Sequence, residues 1–163
     1  MTPSSEFILF FALVAAFFFY GVSQSRSQLT FLLVATWLAL LFMSRLSPWL
    51  IENNMFLRAN DAYAATLGSA VFLLFIFLFH LFFRRVFGRG HVETAAWWQV
   101  VSIAFLEAGL VSAGIFALFD FSSYGTLSPS AYQFIGSPLA FIVWLLLPFF
   151  GIVLLAKKRP ARP

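Results

Sequence analysis

Polar residues in this chain are confined to short interruptions between long apolar runs, and those interruptions set its organisation. The first run, FILFFALVAAFFFYGV, covers 7–22 and ends in the polar link SQSRSQ. Further runs cover 29–46, 62–83, 95–119 and 134–156. None shows the strict alternation of a half-buried strand, and each is 16 to 25 residues long, near the roughly 20 needed to carry an α-helix across a bilayer. The pattern predicts an all-α fold, a polytopic transmembrane helical bundle of about five membrane-spanning helices in one integral domain over 1–163. The first run has no positive flank and no small-x-small cleavage site, which predicts a retained span and not a signal peptide.

Between the second and third runs lies PWLIENNMFLRAND, 48–61. A break is expected at Ser47-Pro48. After it, Trp49, Leu50, Phe56 and Leu57 recur at near-helical spacing between polar residues. That pattern suits a short interfacial helix, or else a loop with anchoring aromatics. Trp37 falls mid-span, where packing explains it better than an interfacial belt does. In the third run His80 precedes Arg84-Arg85 by one turn, which predicts a hydrogen-bonded imidazole near the membrane edge and not a proton relay. Trp97-Trp98 forms an anchor pair at the start of the fourth run. Pro148 lies inside the last, which either spans or re-enters.

Composition agrees with this picture. The chain has 163 residues, 62% hydrophobic and 10% charged, with 24 Phe; soluble domains carry about 25% charged residues. The net charge of +4 is expected to report topology and not nucleic-acid binding, because Lys and Arg collect on the cytoplasmic side. Lys and Arg of alternate links total eight on one face and two on the other. This places the N-terminus outside and the C-terminus inside a cytoplasmic (inner) membrane. With no cysteine and two separated histidines, His80 and His91, neither a disulfide framework nor a metal site is expected. No cofactor or catalytic residue is expected either, since no nucleophile, phosphate-loop or metalloprotease motif occurs.

One residue carries candidate chemistry. Glu107 lies near the middle of TAAWWQVVSIAFLEAGLVSAGIFALF, 94–119, and an acid at membrane depth costs about 2.5–3.5 kcal/mol on insertion scales. It must face a partner, a water-filled cavity or a proton. Two readings stand: an ion, proton or partner-contact site, or an acid hydrogen-bonded to a Ser, Thr or Trp across a helix interface. Beside it Ala104, Ala108 and Ser112 form a ladder at spacing four, with Gly109 on the next row, as helices use for close approach. Arg84, Arg85 and Arg89 are candidates for lipid headgroups or a positive-inside cluster. The expected partners are the bilayer and other membrane proteins or further copies of the chain.

From Ser5 to Gly88 the arrangement resembles the colicin V production protein family. The residues that carry the likeness are Tyr20-Gly21, Arg26, TFLLVATW, LSPWL and FIFLFHLFFRRVFG. The fourth run, SIAFLEAGLVSAGIFAL, is similar to that family's small-residue helix, with Glu107 near its charged position and Gly109 at a following glycine. SPLAFIVWLLLP, 137–148, is like its Ser-Pro segment. HVETAAWW stands where that family has an Asp-Arg pair. The resemblance implies a non-enzymatic inner-membrane protein linked to toxin production or secretion and to envelope maintenance. A small subunit of a transporter or ion-coupled complex, and a scaffold subunit of a larger membrane assembly, are the alternatives.

Overall fold

Long helices dominate because each apolar run satisfies its backbone polar groups internally, as hydrocarbon requires. The computed structural model describes residues 5–24, 26–54, 60–87, 97–119 and 127–156. The long helices are α1 (Ser5–Gln24), α2 (Arg26–Asn53), α3 (Asp61–Phe87) and α4 (Trp97–Leu118). A short turn, α5 (Pro129–Ala131), runs into a π-helical turn, Tyr132–Gly136, and then α6 (Pro138–Ala156). No strand occurs among the described residues. The fold is an all-α bundle with four helices long and apolar enough to cross a membrane. A fifth is added if the segments on either side of Ser137, bent by 45°, form one span.

Helix ends run past the apolar runs. The link expected at 23–28 is almost wholly helical: α1 continues to Gln24, and α2 begins at Arg26. Ser23 Oγ donates to the carbonyl of Phe19 at 2.8 Å, closing the last turn of α1. The break expected at Ser47-Pro48 is absent, and α2 continues through Pro48 to Asn53. Proline removes one intrahelical hydrogen bond, but the turns on either side hold. Asn53 Nδ2 donates back to the carbonyl of Trp49, one turn earlier, at 2.8 Å. Trp49 and Leu50, expected on a separate interfacial helix, are therefore the closing turns of α2. Phe56 and Leu57 lie outside the described residues.

α2 and α4 run parallel, with Thr36 against Glu107 and Leu40 against Gly114. Phe31 stacks on Phe83 and Phe87, with centroids 6.4 and 5.8 Å apart, while Phe42 meets Phe75 at 4.6 Å. α2 and α3 are thus antiparallel. α4 packs against α1, α2 and α6, whereas α3 packs mainly on α2. Glu6, Glu52 and Asp61 fall at one end of the bundle and Arg84 and Arg85 at the other. The outward faces of α1 and α3 are apolar and uncovered: Leu9, Phe11, Phe19, Phe77 and Phe82 are all more than half exposed.

Candidate functional site

α4 is the axis of the bundle. Every residue from Leu106 to Gly114 is buried, together with Val100, Ile103 and Ala104. A helix enclosed on three sides needs small side chains where its neighbours come nearest, because backbones approach only where little volume intervenes. Ala104 and Ala108 have no exposed surface, Ser112 is buried, and Gly109 faces the Trp144 indole of α6. A β-carbon at Gly109 would collide with the six-membered ring of that indole. Further along, Gly114 leaves room for Leu40 of α2 and Phe72 of α3. Phe105 and Val101 mark the remaining, partly open side.

Glu107 is enclosed within this core, with no exposed surface. Thr36 of α2, equally buried, donates its hydroxyl to Glu107 Oε1. The other carboxyl oxygen, Oε2, is buried with no hydrogen-bond partner among the described residues. The Thr36–Glu107 bond joins two helices deep in an apolar bundle, where interhelical hydrogen bonds contribute about 0.6–2 kcal/mol. Next to Thr36, the Trp37 indole meets the Phe149 ring of α6 edge-on, with centroids 3.6 Å apart, and its buried Nε1 also has no partner among the described residues. Thr36 and Glu107 thus bring polar atoms of α2 and α4 together inside a mostly apolar core.

A cleft of about 20 Å³ lies elsewhere, lined by Met43, Ser47, Ala64, Gly68, Val71 and Phe119 among others. Neither Thr36 nor Glu107 lines it. Among the described residues no group of three His, Asp or Glu side chains is placed to hold a metal ion.

The second polar contact lies at the Arg84 end. The Tyr20 hydroxyl of α1 and Nε2 of His80 are hydrogen-bonded at 2.5 Å, with the rings edge to face at 5.7 Å. His80 is buried and has the hydrogen-bond partner its place in the sequence called for. Arg84, one turn on, is half-buried and Arg85 is exposed; both complete the last turn of α3, where cations complement the helix dipole. Arg89 lies outside the described residues. Glu107 is held from α2, by Thr36, and not by Arg84 or Arg85.

Thr36 is the site residue that the sequence reading did not name. Its signal was present, a hydroxyl inside the apolar run LTFLLVATWLALLFM. Without a helix register to align it with Glu107, it was one of several polar candidates. Compared with models of known protein families, with curated proteins and with solved structures, the chain matches none.

Proposed function

We propose that this chain is a non-enzymatic, multi-pass protein of the cytoplasmic membrane, with its N-terminus outside and its C-terminus inside. It serves the envelope-maintenance or secretion-linked role that its resemblance to colicin V production proteins implies. In this reading its core works as a rigid body: α4 is the axis, Glu107 ties it to α2, and the apolar walls of α1 and α3 meet lipid, partner proteins or further copies of the chain. The observation that carries the reading is the bond from Thr36 to Glu107. The acid at the centre of the molecule contributes to an internal helix contact and has no exposed surface to offer a substrate. Arg84 and Arg85, together at the end of α3 assigned to the cytoplasmic face, are consistent with that orientation.

A second reading, an ion- or proton-coupled subunit, is favoured by one atom: Glu107 Oε2, buried and without a partner among the described residues. Intramembrane acids of that kind mark ion and proton paths. Reconstitution separates the two. In vesicles holding a pH-sensitive dye, wild type and Glu107→Gln should give the same slow collapse of an imposed pH gradient, and Gln should preserve the complex recovered in mild detergent. A proton flux present in wild type and lost in Glu107→Gln would overturn the rigid-body reading in favour of the coupled one.

A further inference from the structure

We propose that the last span contains a hinge, and that the Trp144 indole is the latch holding residues 128–136 down as a flap over the Glu6 end of the bundle. The break follows from the covalent chemistry of Gly136-Ser137-Pro138. Ser137 is extended, with φ −81° and ψ 152°. Pro138 has no N–H, so it cannot supply the donor that an α-helix would bring to the carbonyl of Phe134. The backbone before it widens to a π-turn, in which Ser137 N–H donates to the carbonyl of Tyr132 at 2.7 Å. The segments on the two sides then meet at 45°. Ser137 Oγ accepts from the Ala140 amide at 3.1 Å and starts α6 afresh.

Trp144 supplies the missing donor. Its Nε1 donates to the carbonyl of Phe134 at 2.8 Å, so a side chain of α6 performs across the break what the backbone cannot. The ring reaches that place because Gly109 of α4 has no side chain to keep it out. Phe10, Phe105 and Phe134 surround it, with centroids 6.1, 5.4 and 5.4 Å from the indole. On the far side the flap has a weaker hold, the Ser128 amide donating to Glu6 Oε1 at 3.3 Å. Lifting the flap would break these two directional contacts and separate Phe134 from the Phe7 and Phe10 rings. Lipid chains are as apolar as the rings they would replace, so the ring contacts alone give little preference for closure in a membrane. The indole N–H is what favours the closed state.

The test is hydrogen exchange read by mass spectrometry on the full chain in lipid nanodiscs. Trp144→Phe keeps an aromatic ring over Gly109 and removes the N–H. Exchange of the amides at 132–137 should rise roughly threefold to tenfold, the span of a net intramolecular hydrogen bond, while 103–114 of α4 stays as in wild type. Gly109→Ala, which displaces the ring and leaves Trp144 in place, should give the same local rise. Pro138→Ala restores a backbone donor for Phe134, and in that background Trp144→Phe should add nothing. No rise at 132–137, a rise shared equally by α4, or the same rise with and without Pro138 would each overturn the latch and leave Trp144 as an ordinary core side chain.

Discussion

At the scale of single residues, small side chains matter here as much as large ones. Ala108 has no exposed surface and sits between Glu107, bonded to α2, and Gly109, covered by Trp144. Ala108→Phe would place a ring where a neighbouring helix already lies, and overpacking typically costs about 1–3 kcal/mol. The midpoint of thermal unfolding in detergent should fall for Ala108→Phe and stay near wild type for Phe116→Leu, since Phe116 is only partly buried. Equal midpoints for wild type and Ala108→Phe would mean that this face of α4 touches no helix. Ala104, Ala108 and Ser112 were legible as a row, with Gly109 on the next, because spacing by four is visible in a linear sequence. What lies against the row was not. Trp144 is 35 positions from Gly109, and no local pattern links the two.

At the scale of elements, the apolar cores of the helices were legible and their ends were not. Hydropathy marks where hydrocarbon would surround the chain, but a helix can run on into polar sequence: α1 continues to Gln24 and α2 to Asn53, with Ser23 and Asn53 bonding back to carbonyls one turn earlier. The break expected at Pro48 is likewise absent. Proline disfavours a helix by about 3 kcal/mol relative to alanine in water, yet the flanking turns of α2 persist through it. Pro48 is exposed, so Pro48→Ala adds a backbone hydrogen bond without disturbing a packed neighbour. Its unfolding midpoint should equal or exceed that of wild type. A lower midpoint would show that the proline shapes α2 for a contact its helical path does not reveal. At Pro138 the outcome differs, because Ser137 is extended and Trp144 takes over the lost bond. Two similar Ser-Pro pairs thus give an uninterrupted helix at Pro48 and, after Gly136 and the extended Ser137, a break at Pro138.

At the scale of the whole molecule, composition alone pointed to a membrane bundle. The internal arrangement needed the fold: α4 at the centre, α3 carried mainly on α2, and the final segment bent across the Glu6 end. Glu107 was visible as an anomaly because a lone acid stands out in an apolar run. Its partner Thr36, 71 positions away, was not, since a buried threonine in a membrane helix commonly bonds its own backbone. The central claim is that this pair ties the axis of the bundle to α2, and a double-mutant cycle in detergent unfolding tests it most directly. Thr36→Val and Glu107→Leu should each destabilise, and the double variant should lose less than their sum, leaving a coupling of about 0.6–2 kcal/mol. Strict additivity, or a Glu107→Leu protein as stable as wild type, would contradict the account.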